Sequence, residues 1–360
     1  MTQIEVTLLD TRPVEALAKI DGLPAEFVAE AEIYGGVQEA HTVTAIADGA
    51  LQGLLLVVNR PHAAYVKVVG AWLGEPVLAE LVAALEEYAF ARTAVAVKWQ
   101  LPQESPLVAQ VKALGYESLR EPINPVRPVV DELADDITDY GAVPVGLVKW
   151  RVALADPVEP PYYRQTTGFT CGPVSLMVTF DLLGAGEGLD RTRELGLWRE
   201  GTASGGTMPY GLAVAAARRG YVPTLYLTDE DPERTDTSRS KEDRELRRFV
   251  SGQFADEAAE LGVETVVQDI SADFIRELAE SGKILIPLID SHYQRGRHGP
   301  HWIVVHGFHD GAFLVQDSST AVEVGETWVD LHNHPVPVET LDELAWWGSP
   351  RYRAILAFDR

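Results

Sequence analysis

Cysteine is nearly absent from this sequence, since the 360 residues include a single one, Cys171. One cysteine excludes an internal disulfide and is typical of a protein kept in a reducing compartment. Long apolar runs are also missing, because no window approaches the ~20 residues that a membrane-spanning helix needs. Residues 1–13 carry acidic side chains and no apolar core, so we expect no secretory signal. These absences predict a soluble, cytoplasmic protein without a membrane partner.

Positive charge is scarce as well. Lys and Arg number 30 against 54 Asp and Glu, which gives a formal net charge of −24. This excess disfavours nucleic acid and anionic membrane surfaces as partners and leaves a neutral or basic peptide, or a small amide, as the easier substrate. Glycine patterns that hold nucleotide phosphates are missing too, and we expect no cofactor. What the sequence does contain is 46% hydrophobic residues and eight Trp, which is enough for two packed domains.

Cys171 lies where a loop rich in Thr and Gly gives way to a helix pattern. Apolar residues recur at helical spacing over residues 174–182, and Pro173 fits the first helical turn. A sulfur at a helix N-terminus faces unpaired N–H groups and the positive end of the helix dipole, which favour the thiolate. Gln165, six residues upstream, can fold back and donate its amide N–H to an oxyanion that forms beside the sulfur. The sequence therefore predicts a nucleophilic cysteine.

A nucleophilic cysteine needs a base, and His301 is the candidate. Residues 301–308 and 312–317 both read as strands, and together they predict a hairpin that begins at His301. Alternation along the first strand sends His306 to the opposite face from His301. We therefore prefer His301 to His306 as the base.

The turn of this hairpin decides whether Asp317 can orient the imidazole of His301. A two-residue turn, Asp310-Gly311, puts Asp317 on the opposite face. A three-residue loop that also includes His309, with Gly311 left-handed, shifts the register by one residue and makes Asp317 a same-face neighbour. We predict the three-residue loop, because base and orienting residue then come from one hairpin.

Other interpretations of these residues stay open. A lone cysteine is often a buried small hydrophobe, and Asp317 could instead cap a turn. A zinc site is a further alternative, because the C-terminal third is rich in histidine: His292, His298, His301, His306, His309, His332 and His334. The spacings include no helical His-x-x-x-His pair and there is no second Cys, so we predict no metal.

The order Gln165, Cys171-Gly172-Pro173, His301 and Asp317 resembles the papain-like bacteriocin-processing (double-glycine leader) cysteine peptidases and their standalone relatives. The resemblance covers roughly residues 160–360, and the closing segment 341–348 is similar to the end of that family. It implies a papain-like fold with Cys171 as nucleophile, His301 as base, Asp317 as orienting residue and Gln165 at the oxyanion hole. The chain departs from the transporter-borne members, since it carries no membrane spans and no ATPase domain.

The first 116 residues alternate strand and helix patterns. Strands are predicted at 43–46, 51–58, 65–69 and 93–99, and helices at 76–88 and 106–114. This order of elements resembles the later half of a GNAT acetyltransferase fold. The matching turn, residues 70–76, departs from that family's phosphate-binding turn, because Trp72 is bulky, Pro76 lacks an N–H and Glu75 repels phosphate. We interpret this domain as degenerate and non-catalytic, and docking of a partner or recruitment of substrate is our hypothesis for it.

The whole chain is then expected to have an α+β fold. We predict a degenerate GNAT-like α/β domain over residues 1–120, a Pro-rich connector over 121–160 and a papain-like domain over 161–360, with the helix-borne Cys packed on an antiparallel sheet. The small-residue loop 201–207 and the polar, basic segment 291–300 are interpreted as substrate-binding, although loop 201–207 could be a plain connection. The candidate substrate-binding residues are Gly205, Gly206, Trp302, Arg295 and His298.

These observations predict a thiol hydrolase that cleaves a peptide or amide bond through a thioester acyl-enzyme, in the maturation of a peptide or a metabolite. An acyltransferase or cyclase is the first alternative, since the same residues form an amide when an amine replaces water. A non-catalytic peptide-binding protein, built from two degenerate enzyme folds, is the second. The sequence does not show whether water or an amine accepts the acyl group.

Overall fold

The computed structural model describes residues 2–124, 143–155, 159–202, 205–230, 240–292 and 296–360. Its strands are β1 (Gln3–Leu8), β2 (Glu39–Ala47), β3 (Ala50–Asn59), β4 (Tyr65–Leu73), β5 (Ala96–Leu101), β6 (Glu117–Ser118), β7 (Val145–Trp150), β8 (Thr224–Leu227), β9 (Glu264–Val267), β10 (Ile284–Asp290), β11 (Pro300–Trp302), β12 (Val304–His309), β13 (Ala312–Gln316), β14 (His334–Pro337) and β15 (Ala354–Phe358). Its helices are α1 (Pro13–Leu17), α2 (Ala25–Glu30), α3 (Leu78–Phe90), α4 (Leu107–Ala113), α5 (Cys171–Leu182), α6 (Arg191–Gly201), α7 (Pro209–Ala217), α8 (Lys241–Glu260), α9 (Ala272–Glu280), α10 (Trp328–Leu331) and α11 (Val338–Leu344).

The described residues group into two compact units. The first contains residues 2–121, 143–155, 159 and 320–335, and the second contains the described residues of 122–124, 160–202, 205–230, 240–292, 296–319 and 336–360. The predicted bounds place a domain change near residue 160 and none after it. The observed grouping differs, because residues 320–335 pack with the first unit. The predicted domain limits stay a prediction.

The first unit is built on a sheet in the order β1-β2-β3-β4-β5-β7-β6, in which β4 and β5 are parallel and the other neighbours antiparallel. The predicted strands and helices up to residue 116 are confirmed, with the first three strands longer than expected. Helix α3 buries the apolar stripe that its sequence predicts, with Leu81, Val82 and Leu85 at most 2% exposed. Strand β7 lies within the predicted connector and pairs with both β5 and β6. Residues 125–142 and 156–158 of that connector lie outside the described residues.

Buried ion pairs hold the segment 320–335 in the first unit. Arg60 Nε donates to Glu326 Oε1 at 2.7 Å, and Lys67 pairs with Asp330, with all four side chains at most 3% exposed. Lys98 Nζ donates to the carbonyl of Val329 at 2.8 Å. A buried charge that loses its partner costs several kcal/mol. The segment is therefore integral to the packing of this unit.

The second unit is built on a sheet in the order β14-β13-β12-β10-β15-β8-β9, with β11 paired to β10. Successive side chains of strand β15 belong to two different hydrophobic cores, because they point to opposite faces of the sheet. Ala354, Leu356 and Phe358 pack on the face that α5 and α7 cover. Ile355 and Ala357 pack on the other face, with residues of α9 and α11. Helix α5 is buried from residue 171 to 180, so the predicted Cys helix is the central helix of this unit.

None of the helices in the described part of the chain combines the length and apolar character that a membrane span needs.

Candidate active site

Cys171 is the first residue of α5, as the Pro173 position predicts. Its side chain is 5% exposed, and it contacts the imidazole of His301 through a hydrogen bond. Burial raises the pKa of the thiol, but the charge and hydrogen bond of His301, with the backbone N–H groups of Trp302 and Gly172, lower it by more. The net pKa of Cys171 is therefore below its ordinary value, and the thiolate is favoured.

His301 lies in the short strand β11, where it pairs with Ile289 of β10. Its Nε2 lies 2.7 Å from Asp317 Oδ1. Burial lowers the pKa of His301, whereas the charges of Asp317 and Cys171 and their hydrogen bonds raise it, with a net value of about 9. A raised imidazole pKa beside a lowered thiol pKa describes an ion pair, with a thiolate next to an imidazolium.

The turn of the hairpin is the two-residue turn that the sequence argument rejected. His309 pairs with Ala312, and the two residues between them, Asp310 and Gly311, have φ values of 50° and 82°. Positive φ at both central residues is typical of the type I′ turn, which matches the twist of the strands. The predicted three-residue loop was therefore wrong.

A β-bulge produces the register that the longer loop was expected to produce. The pairing shifts by one residue between Val305 and Gly307, and beyond the shift Val304 pairs with Gln316. An extra residue in one strand moves all later side chains by one position. Asp317, directly after β13, consequently reaches the imidazole of His301 despite the short turn.

Gln165 is 6% exposed and is held on both sides of its amide. Its Nε2 donates to the carbonyl of Thr167 at 2.7 Å, and its Oε1 accepts from the Ser318 hydroxyl at 2.9 Å. Its backbone N–H donates to the Ser318 carbonyl at 3.0 Å, so it is tied to the residue that follows Asp317. An amide nitrogen carries two N–H groups, so the contact with Thr167 leaves one for a further acceptor.

Glu194 is a residue of this site that the sequence argument missed. Its carboxylate, in α6 and 0% exposed, accepts from the Thr166 N–H at 2.7 Å, from the Tyr163 hydroxyl at 3.1 Å and from the Thr170 hydroxyl. Burial and the charge of Glu194 raise the pKa of Tyr163. The carboxylate thereby fixes the loop that carries Gln165 and leads into Cys171. A Glu in a polar helix pattern gives no sign of this contact, because its partners are about 30 residues away.

The predicted substrate-binding residues lie in three places: the loop before α7, strand β11 and the segment before β11. The Gly205 carbonyl accepts from Trp198 Nε1 at 2.8 Å, and the Gly206 carbonyl accepts from the Thr202 hydroxyl at 3.1 Å. Trp302 is 2% exposed, and its Nε1 donates to the Thr207 carbonyl at 3.1 Å. This hydrogen bond of Trp302 joins strand β11 to the loop before α7. Contact of Trp302 with a substrate stays a prediction.

The remaining two candidates belong to the segment before β11. His298 Nδ1 lies 2.6 Å from Asp290 Oδ2, and its ring stacks on His292 at 4.0 Å between centroids. Arg295 lies outside the described residues. Among those that the structure describes, no cluster of three or more His, Cys, Asp or Glu side chains is arranged to hold a metal ion.

The second unit therefore has the architecture of a papain-like cysteine peptidase, with the cysteine on a buried helix and the histidine and aspartate on the sheet. The chain belongs to the Peptidase_C39 like family, whose model matches residues 160–359. This membership confirms the resemblance found for the C-terminal part of the sequence. No curated protein matches this chain closely enough to count as a relative.

Solved structures similar to the N-terminal region include acetyltransferases. One is an acetyltransferase from Bacillus subtilis in complex with CoA, 17% identical, covering 42% of this chain and 100% of its own, with a TM-score of 0.28. Another is an IAA acetyltransferase from Bacillus cereus, which is 13% identical and covers 41% of this chain and 99% of its own, with a TM-score of 0.27. A third is the ribosomal-protein-S18-alanine N-acetyltransferase from Escherichia coli, which is 10% identical and covers 41% of this chain and 91% of its own, with a TM-score of 0.27. Scores this low carry no argument about what the first unit binds.

Proposed function

We propose that this protein is a thiol hydrolase that cleaves a peptide or amide bond through a thioester on Cys171. The observation that carries the proposal is a shared imidazole, because His301 bonds to Asp317 at 2.7 Å and also to the Cys171 thiol. With Nε2 bound to Asp317, Nδ1 is the ring nitrogen left for the sulfur. The family membership supports the same chemistry.

In the proposed reaction, His301 takes the proton of Cys171, and the thiolate attacks the substrate carbonyl carbon. The oxyanion accepts hydrogen bonds from the backbone N–H of Cys171 and from Gln165 Nε2. The imidazolium then gives its proton to the leaving nitrogen as the C–N bond breaks, and a thioester remains. Water, deprotonated by His301, attacks the thioester, the C–S bond breaks, and a carboxylic acid leaves.

Transfer of the acyl group to an amine is a second candidate. The observation that favours it is the low exposure of Cys171 and His301, at 5% and 6%, which limits the access of water. An amine that attacks the thioester yields an amide and the free thiol, with the same proton transfers. A maturation reaction on a peptide or metabolite is compatible with both acceptors.

Alkylation by iodoacetamide tests the proposed nucleophile, because only the thiolate reacts and Cys171 is the one cysteine. We expect rapid labelling at neutral pH that drops sharply in His301→Ala. His309→Ala, at the end of strand β12, is the matched control and should label like the wild type. Slow labelling that does not depend on His301 would favour a peptide-binding protein without catalysis.

For the first unit we propose a non-catalytic role, with docking or substrate recruitment as the hypothesis. The N–H groups before α3 support this, because those of Gly74 and Glu75 both donate to the Gln52 carbonyl, at 2.8 and 3.0 Å. Val77 N–H donates to the Glu75 carbonyl at 2.8 Å. Backbone N–H groups that already donate to carbonyls of the same domain do not bind a phosphate. Calorimetric titration with acetyl-CoA should give no binding heat, and saturable binding would contradict the proposal.

A further inference from the structure

A partly exposed aromatic pair lies beside the nucleophile. Phe169 precedes Cys171 by two residues and is 39% exposed, although Thr170 and Cys171 are buried. Its ring centroid lies 5.3 Å from that of Trp198 in α6, with the ring planes tilted by 46°. An aromatic ring that is partly exposed gains further free energy when an apolar group covers it. The pair is therefore a ready contact for an apolar group that arrives next to the sulfur.

The pair continues into the loop 205–207. Trp198 Nε1 donates to the Gly205 carbonyl at 2.8 Å, which fixes the indole against this loop. At the other end, the Thr207 carbonyl accepts from Trp302 Nε1 at 3.1 Å, and Trp302 directly follows His301. Phe169, Trp198 and residues 205–207, here called the aromatic wall, therefore connect the cysteine side of the site to the histidine side.

Two glycines border open space along this wall. A Cβ on Gly168, next to Phe169, would meet no atom within 4 Å, and the same holds for Gly206. The Thr202 hydroxyl braces the Gly206 carbonyl at 3.1 Å, so this part of the loop is fixed as well as open. Open backbone beside a fixed aromatic surface suits an extended chain with a large side chain.

We propose that the aromatic wall is a specificity subsite that takes a large apolar side chain of a peptide substrate, next to the carbonyl that Cys171 attacks. This inference rests on the proposed function and adds the class of substrate. Peptides with a leucine-like or phenylalanine-like residue beside the reacting bond should be preferred to those with glycine or a charged residue there. An aromatic ring packed against Phe169 and Trp198 gains both buried area and ring contact.

Two alkylating agents that share one reactive group test this subsite. Iodoacetamide and iodoacetanilide differ by a phenyl ring, and their intrinsic reactivities are equalised by dividing each rate by that measured with N-acetylcysteine. In the wild type, we expect Cys171 to prefer iodoacetanilide by about ten-fold, which corresponds to 1.4 kcal/mol. Phe169→Ala should remove most of this preference, and Phe169→Leu should retain part of it.

The matched control is Phe249→Ala, which removes another exposed phenylalanine of the same unit, at 65% exposure, and should leave the preference unchanged. Equal preferences in the wild type and Phe169→Ala, with labelling that still depends on His301, would overturn the subsite alone. Labelling that does not depend on His301 would overturn the proposed function and this inference with it. Circular dichroism of each variant verifies that the compared proteins are folded.

Discussion

A Cβ atom on Gly211 would lie 2.1 Å from the carbonyl oxygen of Gly201. The two residues bring α6 and α7 into backbone contact, and α6 carries Glu194 and Trp198. Gly211→Ala should therefore force the helices apart and lower the free energy of unfolding by ~3 kcal/mol or more, at the upper end of overpacking costs. Urea denaturation measures the change.

Gly196→Ala, in the same helix α6, is the matched control for this prediction. A Cβ at Gly196 would meet no atom within 4 Å, so the substitution should stabilise the helix by roughly 0.5–1 kcal/mol. Equal stabilities of the two variants would contradict the close contact between α6 and α7.

We expect Asp317 to influence the pH dependence of the Cys171 thiol through His301. Asp317→Asn keeps the size of the side chain but removes the charge that raises the pKa of His301 to about 9. The imidazolium then becomes less favoured, and the Cys171 pKa should rise toward its ordinary value of about 8.5. Labelling by iodoacetamide at pH 6.5 should slow about ten-fold or more.

Asp310→Asn provides the control, because it makes the same substitution at the turn of the same hairpin. Asp310 has a φ of 50°, a conformation that Asn tolerates. The pH profile of its labelling should superimpose on that of the wild type. A wild-type profile in Asp317→Asn would refute the electrostatic role of Asp317.

The raised pKa of His301 also predicts a loss of stability at alkaline pH. A group whose pKa is higher in the folded state stabilises fully below its unfolded value, here about 6.5, and this contribution disappears as the pH rises through the folded value of about 9. Between pH 8 and 10 the wild type should lose more stability than His301→Gln, because the folded imidazolium gives up its proton in that range. Urea denaturation series at pH 6, 8 and 10 give the comparison, and parallel losses in both proteins would argue against the ion pair.

Glu194 should matter to both stability and reactivity. Glu194→Ala leaves the buried donors of Tyr163, Thr166 and Thr170 without their acceptor, which should cost ~3 kcal/mol or more. Glu194→Gln keeps one of the two acceptor oxygens and should be milder. Because the loop carries Gln165, labelling of Cys171 should slow in both variants, in the order of their stability losses.

Glu187→Ala is the comparison for Glu194. Glu187 is also paired, with Arg193, but its side chain is 59% exposed, and surface ion pairs contribute ~0–1 kcal/mol. If Glu194→Ala were no more destabilising than Glu187→Ala, the carboxylate of Glu194 would not be what fixes the loop.

Local patterns in the sequence predicted most of the strands and helices around the candidate site. The position of Cys171 at the start of a buried helix follows from the Pro173 rule and the apolar spacing after it. The pairing of Asp317 with His301 was predicted too, but for a wrong reason, because the turn is short and a bulge at residue 306 supplies the shift. A bulge depends on how two strands pack in the sheet, which no local pattern records.

The sequence by itself therefore determined that the single cysteine lies at the start of a buried helix and that a histidine and an aspartate lie on or next to strands further along the chain. Only the tertiary structure decided which strand register joins them, that Glu194 fixes the loop before Cys171, and that residues 320–335 pack with the first unit through Arg60, Lys67 and Lys98. The physical reason is range. Helix and strand periodicity reflects burial of one face, which each segment encodes alone, whereas these contacts join residues from 16 to more than 200 positions apart, and their partners are found only after folding.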